Sequence, residues 1–178
     1  EPPGIPYPDA QAYFAPSGDG TGQLAFGAGG GGTDFAEDPE VIVREYGHAC
    51  QENQVPGFGA NFETLETFAI GEGWADFLAG AHLSAFSGGY GDLCLGEWVS
   101  SSIPGVGECF RRMDSAKHYP EDTVGEPHAD GEMWSASLWK AFELMGRDDS
   151  LKLVFQSNFF LSQDPTFEEA ARAVQNAR

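Results

Sequence analysis

The chain has 178 residues, with 28 acidic against 9 basic ones for a net charge of −19, and 41% apolar and 13% aromatic residues. That composition is too apolar for a disordered chain and too acidic to favour nucleic acid or an anionic membrane surface as partner. No stretch approaches the roughly 18 apolar residues that cross a bilayer.

What remains is one folded unit with a sizeable core and a surface that attracts cations, calcium included, and basic ligands. Only Lys117, Lys140 and Lys152 are lysines, which fits an extracellular or a high-salt setting. The opening Glu1-Pro2-Pro3, without a methionine, is how a processed product begins, so the sequence leaves room for a removed targeting segment.

In chain order, residues 11–14 and 23–26 are extended candidates, separated by the turn chemistry of Pro16-Ser17-Gly18-Asp19-Gly20-Thr21-Gly22. The glycine run 27–32 lacks the Gly-Lys-Ser/Thr of a phosphate loop and is followed by Asp34, so it reads as a connector. Asp38 as N-cap and Pro39 at the first helical position start a helix over about residues 38–53. A second helix is predicted over 63–84 and a third over 130–145, where Trp134, Leu138, Phe142 and Met145 fall in helical phase. Two more follow near 149–161 and 166–178. Between the second and third, residues 85–127 read as a long irregular segment, a kind that is usually functional or pinned. Cys94 and Cys109 flank a Gly/Ser/Pro-bearing part of it and suit a disulfide in an oxidising compartment. Cys50 lies in a helical pattern and reads as a small buried apolar residue. With no Cys-x-x-Cys, a zinc ribbon is excluded.

Three segments carry chemistry. On the first helix, Arg44-Glu45-Tyr46-Gly47-His48 fills four of the five terms of His-Glu-x-x-His, the pattern in which two histidines one turn apart share a face and grip zinc. On the second, Gly71-Glu72-Gly73-Trp74-Ala75-Asp76 puts two carboxylates on one face. Glu72 is a candidate third ligand and Asp76 a candidate to orient His48. The bland alternative, an exposed acidic stripe, is weakened by the apolar company of Ala69, Ile70, Trp74 and Phe77. At the head of the third helix, His128 reads either as an ordinary cap residue or as a donor to a developing oxyanion.

The stretch from Asp38 to His48 resembles the active-site helix of thermolysin- and fungalysin-like zinc metallopeptidases, and Ala69 to Asp76 resembles their glutamate helix. Cys109-Phe110-Arg111-Arg112-Met113-Asp114, leading through His118-Tyr119-Pro120 to His128, is similar to their substrate-side loop. Ala12-Tyr13-Phe14 through Gln23-Leu24-Ala25-Phe26-Gly27 is similar to their edge strand and hairpin. The resemblance implies a secreted peptidase of α+β fold. In it, residues 1–37 are a Gly/Pro-rich remnant of a β lobe and 38–178 a helical, metallopeptidase-like lobe carrying the site. With only about 37 residues before the active-site helix, the rest of the β lobe would come from elsewhere in a longer protein or from a partner chain.

Carried over, the family's roles make His48 and Glu72 zinc ligands and Glu45 the base that activates water. Asp76 would hold His48, and His128 would stabilise the transition state. Arg111 would hydrogen-bond a substrate carbonyl, with Arg112 as fallback. Backbone groups near Ala12 and Tyr13 would receive an extended peptide.

Arg44 stands where the resemblance expects the first zinc-ligand histidine. A guanidinium is always protonated and only donates, so it is no ligand. Three readings stay open. Arg44 occupies or borders the metal position and pairs with Glu45 or Glu72; or it swings away from a weak two-ligand site; or the residue is a misread histidine. The chain is then either a metallopeptidase, impaired at Arg44, or a pseudo-peptidase that keeps the cleft for binding or assembly. Calcium is a further expectation, because Asp34, Glu37, Asp38, Asp92, Asp114, Glu121 and Asp122 lie in or beside loops.

Overall fold

A computed structural model describes residues 12–28, 33–61, 63–89, 93–103 and 105–178. Gln11 and Asp92, and most of the glycine connector, lie outside the described residues. The first described element is an antiparallel hairpin, β1 (Ala12–Pro16) and β2 (Gly22–Phe26), in which Tyr13 faces Ala25 and Phe14 faces Leu24. It is longer at its turn end than the alternation of residue types suggested. The turn closes through Asp19, whose Oδ1 accepts from the Thr21 N–H at 3.1 Å, and through a Ser17 N–H to Thr21 carbonyl bond of 2.8 Å.

After a single 3₁₀ turn at Phe35–Glu37 comes α1 (Pro39–Gln54), which starts as expected. Asp38 Oδ1 takes the Glu40 and Val41 N–H groups at 2.9 and 3.2 Å, and Oδ2 takes the Val99 N–H at 3.2 Å. One buried cap thus fixes both the helix start and the long loop lying across it.

Helix α2 (Leu65–Ser87), capped by Thr64, overruns the predicted end by a turn and stops at Gly88 in the left-handed conformation. Helix α4 (Pro127–Met145) begins three residues before the expected Asp130, because Glu126 serves as the cap and Pro127 takes the first helical position. Helices α5 (Arg147–Asn158) and α6 (Phe167–Asn176) close the chain, the latter opening on a capping box between Thr166 and Glu169.

The segment predicted as irregular over 85–127 is pinned rather than featureless. It contains β3 (Cys94–Leu95), the single turn α3 (Glu97–Ser100) and β4 (Arg111–Arg112), with β3 and β4 antiparallel and a Cys94–Cys109 disulfide beside them. Glu40 on α1 accepts the Gly96 N–H at 2.5 Å. Burial, against the pull of that N–H, and the neighbouring Glu97 push the Glu40 carboxyl up to about 9. These ties place Arg111 above α2.

The core lies between α2 and the helices on its two sides, with Ile70, Trp74, Phe77, Met113, Leu138 and Val154 among its buried members. A second cluster of Phe35, Val41 and Val99 joins the hairpin to α1. Cys50 is only half-buried, packing at the edge of the core rather than inside it.

Glycine makes the helix contacts close. A Cβ on Gly73 would stand 2.3 Å from the Gly131 carbonyl oxygen and 2.8 Å from the Trp134 Cβ, so α2 and α4 touch backbone to backbone there. Gly73→Ala gains roughly 1 kcal/mol of helix propensity but forces backbone apart, an overpacking cost of about 3 kcal/mol. The clash wins. A net loss of about 2 kcal/mol is expected in urea unfolding, and an unchanged midpoint would show that the interhelical contact is looser than described.

Candidate functional site

Helical periodicity turns Arg44, Glu45, His48, Gln51 and Glu52 of α1 toward α2, and the close approach of the two helices brings Glu72 and Asp76 against them. The α1 side chains and Glu72 line a cavity of about 340 Å³ together with β1 residues, Ala12 and Tyr13 among them, while Asp76 lies buried behind it. Among the described strands β1 pairs only with β2.

Arg44 sits in the middle, 8% exposed. Its guanidinium donates to three carboxylates at once: to Glu45 Oε1, to Glu72 Oε2, and from Nε to Asp76 Oδ1 at 2.9 Å. Glu45 and Glu72 are the partners expected from the sequence, and Asp76 is a third. Asp76, 1% exposed, also receives Arg111, whose Nε reaches Oδ2 at 2.6 Å and whose NH2 reaches Oδ1 at 2.9 Å. Burial by itself would raise Asp76, but Arg111 and then Arg44 outweigh it and hold the carboxyl below the usual range.

This differs from two sequence expectations. Asp76 was expected to orient His48, yet its described hydrogen bonds go to the two arginines. Arg111 was expected to face substrate, yet both its described bonds are spent on Asp76. The physical reason is shared: a buried carboxylate pairs with a guanidinium in preference to a neutral imidazole, and a guanidinium with a carboxylate in preference to an amide carbonyl. The fallback, Arg112, pairs with Asp114 at the surface.

His48 stands with Nε2 3.7 Å from Glu72 Oε1. Burial, with the charge of Arg44 added, pushes its pKa well below the ordinary value, so the imidazole is neutral and the contact is not an ion pair. His128, half exposed, points Nε2 at Glu72 Oε2 across 3.3 Å and hydrogen-bonds its own cap residue, Glu126, through Nδ1 at 2.8 Å. Glu72 therefore receives contacts from α1 and α4 together.

Among the described residues no group of three or more His, Cys, Asp or Glu side chains is placed to hold a metal ion. Four of the seven acids expected for calcium have these contacts: Asp34 and Asp38 cap helices, Asp114 pairs with Arg112, and Asp122 accepts the His118 N–H.

Gln51, Glu52 and Glu126, which the motifs did not single out, line or border the site. The first two fall seven and eight residues after Arg44, on the helical repeat of the same face, and that spacing was the available signal.

The site is thus a buried acid–arginine cluster between two close-packed helices, beside a strand-lined cleft. The chain belongs to the fungalysin metallopeptidase family (M36), whose model matches residues 24–160. It is similar to extracellular metalloproteinase MEP of Fusarium vanettenii, at 29% identity over 138 residues, covering 70% of this chain and 21% of that protein. It is also similar to extracellular metalloproteinase 2 of Phaeosphaeria nodorum, at 30% over 137 residues with the same coverage. A third relative, extracellular metalloproteinase mep of Aspergillus flavus, is 29% identical over 136 residues, 69% of this chain and 21% of that protein. The chain thus spans about a fifth of the length of the curated relatives it matches. No described helix is long and apolar enough to cross a membrane.

Proposed function

We propose that this chain is the site-bearing part of an extracellular fungalysin-like protein that binds peptides in its cleft, with peptide hydrolysis impaired by Arg44. The observation that supports this most is the threefold pairing of the Arg44 guanidinium with Glu45, Glu72 and Asp76.

The metallopeptidase reaction needs a divalent ion held by three protein ligands, which polarises the substrate carbonyl and supplies a water-derived nucleophile. The residues present do not fit that ion. Arg44 offers only N–H donors, and one of them is bonded to the carboxylate of Glu72, which would have to hold the metal. Its fixed charge compensates the acids that a dication would otherwise neutralise. Glu45, the family's base, is bound by the same guanidinium. Held in this way, neither glutamate is available for a hydrolytic step.

The peptide-binding half of the reading rests on the cleft, on the β1 residues in its lining and on the family's activity. An extended segment laid along Ala12 and Tyr13 would pair by β-augmentation, a mode that asks only for backbone groups. His128, half exposed in the same lining, would donate to a ligand oxygen in place of its contact with Glu72.

The test uses the purified native chain. Metal content by mass spectrometry is expected to be well below one zinc per chain, while labelled peptides bind and stay uncut over days. Stoichiometric zinc, or cleavage abolished by a chelator, would sink the impairment. Absence of peptide binding would sink the binding role.

A further inference from the structure

The deeper end of the cleft carries a charge that the Arg44 cluster does not compensate. Glu45, Glu72 and Asp76 share Arg44 and Arg111, so three anions meet two cations. Two turns along α1, Glu52 is 3% exposed and lines the same cavity. Among the described residues its oxygens accept only backbone N–H groups: Gly57 at 3.1 Å to each oxygen and Gly20 at 3.4 Å. Among the described residues no cation is paired with it.

Beside it Gln51 is 2% exposed, and its Nε2 has no hydrogen-bond partner among the described residues. Phe58 and Phe68 line the same cavity. A buried carboxylate without a counter-cation, and a buried amide donor without an acceptor, each cost free energy that a ligand of the right chemistry recovers. The aromatic wall offers apolar cover for a methylene stem and a π-face for its charged head.

We infer that this end of the cleft selects a lysine or arginine side chain of the bound peptide, with Glu52 receiving its cationic head and Gln51 donating to a peptide carbonyl. The inference rests on the peptide-binding reading above and names its substrate class. The overall charge of −19 acts in the same direction at long range, speeding the arrival of basic peptides, but only a local carboxylate discriminates one side chain from another.

The experiment measures binding of four labelled peptides, identical except for one central arginine, lysine, norleucine or glutamate, to the full chain by fluorescence anisotropy. The arginine and lysine peptides are expected to bind about tenfold more tightly than the norleucine one, the size of a charge-assisted contact in a partly buried site. In Glu52→Gln, which keeps a carbonyl oxygen for the Gly57 N–H, that preference shrinks to within about twofold. Gln51→Leu weakens all four peptides alike.

A measurement on the native chain guards against a variant that fails to fold. Raising ionic strength should weaken the arginine and lysine peptides and leave norleucine unaffected. Equal affinity for norleucine and arginine, or a preference that survives Glu52→Gln, overturns the inference and leaves peptide binding intact. If no peptide binds at all, the reading it rests on fails with it.

Discussion

Arg44→His is expected to turn the native site into one that takes up close to one zinc ion per chain. Removing the guanidinium leaves Glu45, Glu72 and Asp76 around a space where only Arg111 still supplies charge, which creates a demand for a cation. The imidazole introduced at 44 lies one turn from His48 on the same helix face, and Glu72 faces both from α2. Three ligands then come from two rigid helices, the number a catalytic site requires.

Without metal, the variant should melt below the native chain, because three close carboxylates repel. Zinc at a hundred times its dissociation constant should restore about 2.7 kcal/mol. A polarising metal is worth several kcal/mol of transition-state stabilisation, so peptide cleavage should rise by roughly 10³-fold where the remaining cleft suffices. Metal content is the primary readout because this chain covers about a fifth of the length of its relatives, and metal binding needs only the three ligands. An Arg44→His chain that binds no zinc would show that the geometry, not the missing ligand, disables the site.

The second large effect concerns the carboxylate between the arginines. Asp76→Asn keeps the shape but removes the charge that two buried guanidiniums share, and turns an N–H₂ group toward donors that need acceptors. Breaking a buried ion network costs about 3–5 kcal/mol. The lower end is expected, since Arg44 retains Glu45 and Glu72. Urea midpoints at neutral pH should show it.

The pH dependence then separates charge from packing. Asp76 is depressed in the folded chain, so its contribution is present above the ordinary carboxylate value of 3.8 and disappears as pH falls through its lower folded value. The gap between native and variant should therefore close on acidification. A gap that persists in acid would mean that asparagine disrupts packing rather than an ion pair.

Particular residues show how far the sequence reached. Asp38-Pro39 announced a helix because capping is a local matter, and α1 begins there. The hairpin turn was legible from its Gly and Asp chemistry. The pairing of Cys94 with Cys109 followed from their position around one loop. Boundaries slipped where a cap lay outside the apolar repeat, as at Glu126, which starts α4 three residues before the predicted first turn. Ala12, Tyr13, Arg44, Glu45, His48, Glu72 and His128 line one cleft, with Asp76 and Arg111 hydrogen-bonded behind it, but the partners did not follow from spacing. Asp76 has Arg44 on one side and Arg111 on the other, the first 32 and the second 35 residues away in sequence.

Local spacing and side-chain chemistry were enough to establish the helix order, the family resemblance and the fact that residue 44 could not be a metal ligand. What Arg44 does instead was decided by the tertiary structure. The close helix contacts around Gly73 and the pinned loop carrying Arg111 place three acids and two arginines within hydrogen-bond reach, out of water. At such distances charge complementarity governs which groups pair, and no one helix taken by itself could have supplied the second arginine.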